Sequence, residues 1–500
     1  LLELRPALDG HAGIPQETRL LFRALGQLEG VRAEGMLQAS GRVLAKGLPA
    51  HGPGALSRDE QINRLSRVVI SLQTRGDFTR FERVVAAFGL MLAPARALVR
   101  VLLGLRLPLT RFEPQAFRDF VWRALFERTL PPSDFDAVTT AGFRVVRLPW
   151  TALHAAALVT RKFGVALYPR LDTRDFDIVI AETPYPGRMR RGTQLVVRYH
   201  DAIPLLMPHT ISDKSYHQAS HYHALRRNVK DGAWFACVSE ATRQDLVAIF
   251  PEAAPRAVTI PNMVSRHYFS ESTGPQRIPE ILRVRRHAGA EGAGAVVQRG
   301  AEPIPYLLMV STIEPRKNHL TLLAAWEQLR ASGHGELQLV LVGSLGWDHK
   351  AILKRLRPWV ARGGVHLLED VPSDDIRLLY RHARVVVCPS FGEGFDYSGV
   401  EAMCSGGVVA ASDIPVHREV FSDAAQYFNA YSPADMAQAI SSLLVPEAAQ
   451  RRQELMRKGQ SVGERYAPER LLPAWKAFLD RVHAAGHGTS AHPAAAESTE

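Results

Sequence analysis

Cysteine is scarce in this chain. Cys237, Cys388 and Cys404 are the only three among 500 residues, and their spacing suits neither a metal cluster nor a disulfide framework. Each sits in an apolar run or a helical pattern, which predicts small buried side chains in a protein from a reducing compartment. Long hydrophobic runs are also missing where they would matter most. Residues 83–112 form a strongly apolar stretch without one acidic residue, but Arg83, Arg96, Arg100, Arg106, Arg111 and Pro94 interrupt it. It is too broken to span a bilayer, which needs about 20 consecutive apolar residues. A basic, apolar helix pair lying in a headgroup layer is the reading that remains, beside packing on its own domain or on another subunit. No repeat of fixed period runs along the chain, which excludes a solenoid. The start, Leu1-Leu-Glu-Leu-Arg-Pro6, has neither an initiator Met nor a charged leader before an apolar core. A missing N-terminus or an already cleaved leader is the expectation.

The length exceeds what one hydrophobic core usually organises, so two domains are predicted. With 46% hydrophobic and 22% charged residues the chain has the composition of a globular protein. The net charge of +11 is lopsided, with 41 Lys+Arg against 27 Asp+Glu before residue 301 and 20 against 23 after it. The first half is therefore expected to face something anionic, such as nucleic acid, an acidic lipid surface or a phosphate-bearing acceptor. The plainer alternative is an arginine-rich solvated surface.

Short apolar runs alternate with amphipathic stretches in the second half, the pattern of parallel strands joined by helices. Strands are predicted at 306–310, 338–342, 365–368, 385–388, 408–411 and 426–428, with a helix start at Ser373, Asp374 and Asp375. The first half offers strands at 1–4, 178–181, 195–198, 234–238 and 258–260, with a long insertion around 50–170. The run 270–302, rich in Gly, Ala, Arg and Pro, is predicted to be the interdomain linker.

Chemistry concentrates after the strand at 385–388. A turn with Gly392, Glu393, Gly394, Phe395 and Asp396 opens a helix carrying Glu401. Ligands of open parallel sheets bind outside the carboxyl ends of the strands, where a helix N-terminus offers free amides to phosphate. Gly392 and Gly394 are expected to let the backbone approach a ligand. Glu393 and Glu401, eight positions apart, can both accept hydrogen bonds from sugar hydroxyls. After the strand at 306–310, a Pro turn places Arg316 and Lys317 at another helix start, fixed positive charge suited to a departing diphosphate. On the first half, His200 and Asp201 end the strand at 195–198. Two Asp-Phe-Asp triplets, Asp134 to Asp136 and Asp175 to Asp177, lack any phosphate-loop context, so no metal site is predicted.

These ordered segments resemble the retaining glycosyltransferases of family four, whose hallmark is two glutamates separated by seven residues inside a Pro-Ser-x-x-Glu-Gly-Phe-Gly pattern. The resemblance implies the GT-B fold: two α/β Rossmann-like domains with parallel sheets facing across a cleft. On that basis residues 1–295 are the acceptor-side domain and 303–465 the nucleotide-sugar domain. Residues 466–484 are expected as a helix that packs back on the first domain, and 485–500 as a disordered tail. The family pattern implies that Glu393 meets the donor sugar near the reacting carbon and that Glu401 holds the ribose hydroxyls. It places the amides at Phe395 and Asp396, with Gly394, against sugar and phosphate, and Arg316 and Lys317 on the diphosphate. Backbone groups near Val371 are placed against the base, His200 beside the sugar, and Gly13, with Arg19 as a neighbour, near the phosphate and acceptor. Glu393, His200 and Lys317 are the implied catalytic groups.

Three departures stand out: Asp396 where the family has Gly, Gly407 where it has Pro, and Thr312 where it often has Arg. Asp396 is expected to turn to the donor hydroxyls. The implied activity is transfer of a hexose, with GDP-mannose as a candidate donor, to a glycan or polyprenyl-diphosphate-linked acceptor in bacterial surface polysaccharide synthesis. No cofactor, metal or nucleic acid is expected, while contact with the cytoplasmic face of the inner membrane is. The competing readings are a non-catalytic nucleotide-sugar-binding scaffold and a nucleotide-sugar epimerase on the same fold.

Overall fold

The computed structural model describes residues 1–10, 13–50, 56–73, 80–286 and 304–488. Fourteen strands among them form two sheets. The first contains β1 (Leu2–Glu3), β2 (Glu34–Leu37), β3 (Thr110–Phe112), β4 (Gly142–Val145), β5 (Ile178–Ala181), β6 (Gln194–Tyr199), β7 (Trp234–Cys237) and β8 (Ala257–Thr259). Their order is β3-β4-β2-β1-β5-β6-β7-β8, parallel except for the β3–β4 edge pair. The second contains β9 (Tyr306–Val310), β10 (Gln338–Val342), β11 (Val365–Leu368), β12 (Val385–Cys388), β13 (Val409–Ser412) and β14 (Ala425–Phe428), all parallel in the order β11-β10-β9-β12-β13-β14. Each sheet reverses its winding direction once, between β1 and β5 and between β9 and β12. Such switch points open a crevice at the carboxyl ends of the two strands.

Helices cover both faces of each sheet, so central strands such as β5, β9 and β12 are buried on both sides and read as continuous apolar runs. All four residues of β12 are buried. The expected strands of the second half and the later ones of the first agree with these within two residues at each end. β2 and β4 have no counterpart among the expectations, because charge breaks their apolar pattern. Glu34 on β2 accepts from Arg144 on β4 at 2.8 Å, and that cross-strand pair lets both lie inside. Gly35 is required there, since a Cβ would come within 2.4 Å of the Leu4 side chain.

Residues 50–170, expected as an insertion, therefore supply β3 and β4 to the sheet. Between them and β2 lie helices Arg58–Leu72 and Arg80–Leu102. The second is one helix with Pro94 inside it, in place of the expected helix pair. The side chain of Arg83 lies outside the described residues. Part of the expected linker is ordered too: helix Ile278–Val284 buries Ile278, Ile281 and Leu282 in the core of the second domain. Positions 287–302 of that linker lie outside the described residues. The final helix, Pro468–Gly488, crosses back to the first domain, where Trp475, Phe478, Leu479 and Val482 join the core around Leu2 and Trp234. It runs past 484 into the expected tail, whose remainder is not among the described residues.

Candidate active site

In the second domain the site grows from the switch point. Chain leaving β9 turns through Pro315, Arg316 and Lys317 into helix His319–Ala331, and chain leaving β12 turns through Glu393 into helix Tyr397–Cys404. Asn318, in the left-handed region at φ 67, locks the two turns together. Its side-chain amide donates to the carbonyls of Pro389 and Ala430 at 2.9 and 2.8 Å. Lys317 Nζ donates to Glu393 Oε1 at 2.5 Å, and Arg316 donates to Glu393 Oε2 and to the Gly392 carbonyl, both at 2.7 Å. The same guanidinium reaches Glu314 at 2.9 Å. Burial alone would raise Glu393, but Arg316 and Lys317 hold it below the usual carboxylate range. Two cations of the first turn thus meet the buried carboxylate of Glu393 from the second, with Glu314 on the far side of the Arg316 guanidinium.

Glu401 faces a different set of partners. Its carboxylate accepts from Gln16 Nε2 at 2.9 Å and from the Tyr380 hydroxyl at 3.3 Å. Burial pushes it up to about 7, against those two hydrogen bonds, which pull it down. Between pH 4.5 and 7 the native carboxyl keeps its proton while the unfolded chain loses its own. The unfolded state then binds fewer protons, and stability falls with rising pH by about 3 kcal/mol over that window. Glu401→Gln should remove this slope: comparing unfolding temperatures at pH 5 and pH 8, the variant should lose less on the alkaline side than the parent. Equal losses would contradict the assignment.

Asp396 does not turn to the cleft as expected. It is at φ 66 where the helix begins, a conformation that explains glycine at this position and that Asp tolerates better than most residues. Its carboxylate accepts from the Ser398 hydroxyl at 2.6 Å and lies 3.0 Å from His417 Nε2. Burial works to raise it, and His417 holds it well below the usual range. The acidic side chain is thereby committed to Ser398 and His417. Phe395 is likewise a core residue, its ring edge-on to Tyr466 at 4.9 Å. Val371, after β11, is half-buried against the same core, three strands from β12 in the sheet.

The first domain closes over this turn. Gly394 meets it directly, because a Cβ there would lie 1.8 Å from the carbonyl oxygen of His200, and one on Gly392 would lie 2.7 Å from Met207 Sδ. Both glycines were expected to admit a ligand; here they admit the opposite domain. Gly13, at φ 72, opens helix Ile14–Leu25, whose first turn carries Gln16 and Glu17. Glu17 is fully buried between the domains, receiving Arg198 at 2.8 Å from one side and the Tyr397 hydroxyl at 2.8 Å from the other. Arg198 also donates to Asn262 and to the Ile260 carbonyl, which ties the chain leaving β8 to β6. Further along, Glu419 accepts from the free amides of Glu240 and Ala241 at 2.6 and 2.9 Å, and Trp347 donates to the Thr210 carbonyl at 2.7 Å. Arg19 is no cleft residue: it is buried, donating to the carbonyls of Ala7, Gly10 and Leu125.

At the first domain's own switch point stands a group that motif reading missed. Glu182, directly after β5, is fully buried, and its Oε2 lies 3.2 Å from His200 Nε2. Its other oxygen has no partner among the described residues. Burial raises Glu182 well above the usual carboxylate range and lowers His200 to about 4, so both groups are driven toward their neutral forms. The signal was present, since a carboxylate at the end of a central parallel strand follows the rule that singled out His200. The aspartate triplets, by contrast, spend their charge on arginines: Asp134 on Arg23, Asp136 on Arg118 and Asp175 on Arg144.

Comparison with known proteins bears on both halves. A family model described as glycosyl transferases group 1 matches residues 304–445, and one described as glycosyltransferase family 4 matches residues 82–267. Both models describe glycosyltransferase segments, one on each of the two domains of the fold. O-antigen chain mannosyltransferase B of Escherichia coli is 29% identical to this chain over 266 residues, 52% of this chain and 64% of that protein. Serotype-specific mannosyltransferase WbdA of Escherichia coli is 34% identical over 142 residues, 28% of this chain and 17% of that protein. The chain thus spans less than two thirds of either relative. Among solved structures, sucrose-phosphate synthase from Thermosynechococcus elongatus superposes with a TM-score of 0.50 at 17% identity, over 69% of this chain and 84% of that one, a likeness of the GT-B fold.

Proposed function

We propose that this glycosyltransferase moves mannose from GDP-mannose to a glycan or polyprenyl-diphosphate-linked glycan acceptor in bacterial surface polysaccharide synthesis, with retention at the anomeric carbon. The observation that carries the reading is the turn where Arg316 and Lys317 meet Glu393 at the switch point, opposite His200. Mannose and the polysaccharide setting rest on the names of the relatives, both mannosyltransferases and one of O-antigen chains.

In this reading the bond between the anomeric carbon and the phosphate oxygen breaks while an acceptor hydroxyl attacks from the same face. Its proton passes to the leaving phosphate. The charge that builds on that phosphate is met by Arg316, Lys317 and the amides opening helix Tyr397–Cys404, which are in place before the reaction begins. Glu393 orders the two cations and reaches the sugar. Glu401 holds the ribose, Gln16 giving way to its hydroxyls. Closure of the first domain over Gly394 excludes water that would hydrolyse the donor. No metal or cofactor is assigned a part.

The test is a thermal-shift comparison of GDP-mannose, UDP-glucose and ADP-glucose, followed by transfer of labelled mannose to a lipid-linked acceptor. GDP-mannose should stabilise the protein by about 2.7 kcal/mol at a hundred times its Kd, and label should appear on the acceptor. A shift without transfer would favour the scaffold, an isomerised donor the epimerase, and no shift with any of the three would sink the nucleotide-sugar reading.

A further inference from the structure

One face of the first domain has no part in the cleft. Helices Arg80–Leu102 and Trp150–Arg161 pack against each other there. Beyond Glu82 in the first turn of the first helix, both are acid-free: no Asp or Glu occurs between Glu82 and Glu113, or between Asp136 and Asp172, in a chain with 50 acidic residues. The first helix gives Ala93 and Ala97 to the core. Phe88, Met91, Val99 and Leu102 are 58, 67, 51 and 67% exposed, and at about 100° per residue they fall in one sector on the side away from that core. Leu103 continues the stripe, and Phe163, 87% exposed, stands just past the second helix. A helix that is apolar on both sides needs a partner on both, and a patch of this kind on a water-soluble surface marks a contact.

Charge decides what the partner is. Arg147 is lowered by burial first and then by the charges of Arg96, Arg100 and Arg67, so these guanidinium groups converge beside the stripe. At its other end the turn after Leu102 bridges to Leu171, and Arg170 feels Arg188, Arg106 and Arg191 in the same way. Arg161 and Lys162 are exposed next to Phe163. The acids facing this region are already paired: Asp172 with Arg174 at 2.7 Å and Arg106 at 3.7 Å, and Asp231 with Arg188 and Arg227, both at 2.7 Å. Asp59 and Glu60 sit in the first turn of helix Arg58–Leu72. A second copy of the chain would bring like charge against like. A bilayer with acidic headgroups offers hydrocarbon to the stripe and phosphate to its rim.

We propose that this face docks the protein on an anionic membrane surface, with Phe88, Met91, Val99 and Leu102 at the acyl boundary and the surrounding arginines on headgroup phosphates. No described helix is long and apolar enough to cross a membrane. The inference stands on this surface alone and does not depend on the reaction in the cleft.

The test is co-sedimentation of the whole chain with vesicles of phosphatidylcholine alone and of phosphatidylcholine mixed with phosphatidylglycerol. Binding should require the mixed vesicles and weaken as salt rises. The double variant Met91→Glu/Leu102→Glu should bind at least about tenfold more weakly. Arg96→Glu/Arg161→Glu, which leaves every apolar contact intact, should also lose affinity, each charge contributing about fivefold. Unfolding temperatures should stay at the parent value, since all four side chains are exposed. Failure of the parent to bind mixed vesicles, equal binding by the variants, or a parent dimer that Met91→Glu/Leu102→Glu turns into a monomer would each overturn the proposal.

Discussion

Replacing Lys317 by alanine should cut turnover by about a hundred- to a thousandfold while leaving the fold intact. Removing one preorganised charge or donor from a developing oxyanion costs this much in well-studied cases. The structure also makes the variant readable. Glu393 keeps Arg316 at 2.7 Å when Lys317 is gone, so no buried carboxylate is stranded. Arg316→Ala would be a poorer probe, because it leaves Glu314, Glu393 and the Gly392 carbonyl without their shared donor and is expected to destabilise by several kcal/mol. For Lys317→Ala, kcat should carry the loss and the unfolding temperature should move little. Unchanged kcat would remove Lys317 from the chemistry.

The second large effect is expected far more simply, from one methyl group. Gly394→Ala places a Cβ where the His200 carbonyl oxygen now lies 1.8 Å away, and that oxygen belongs to backbone. The two domains must then separate by at least about 1 Å, a displacement that costs about a hundredfold in rate when it separates reacting groups. Gly394 is not at positive φ, so alanine brings no backbone strain of its own. The expected signature is a strong fall in kcat with nucleotide affinity of the second domain kept within a few-fold. Normal turnover would mean that this closed contact is not the working state.

How much of this was legible in the sequence depends on whether a feature is local. Strands β9 and β12 are, because burial on both faces leaves an unbroken apolar run. Strands β2 and β4 are not, since Glu34 and Arg144 become buried residues only through each other, 110 positions apart. In the site, Arg316, Lys317, Glu393 and Glu401 announce themselves by order and spacing. The orientation of Asp396 does not, because its partner His417 lies on the next helix and nothing in the turn itself reveals it. Gln16, Glu17 and Glu182 belong to no motif. They gain meaning when the first domain folds over the second, bringing Gln16 to Glu401 and Glu17 to Tyr397. The basic excess of the first half was visible at once, while its gathering around an apolar stripe required two helices to meet.

The central claim is that the paired turns holding Arg316, Lys317 and Glu393 receive the diphosphate of a nucleotide donor. Titration calorimetry of GDP into the parent protein and into Lys317→Ala, at one pH and one salt concentration, tests it most directly. The account predicts that the parent binds and that the variant binds about tenfold or more weakly, with mannose itself bound by neither. Equal GDP affinity in the two proteins, or no binding by the parent, would contradict it.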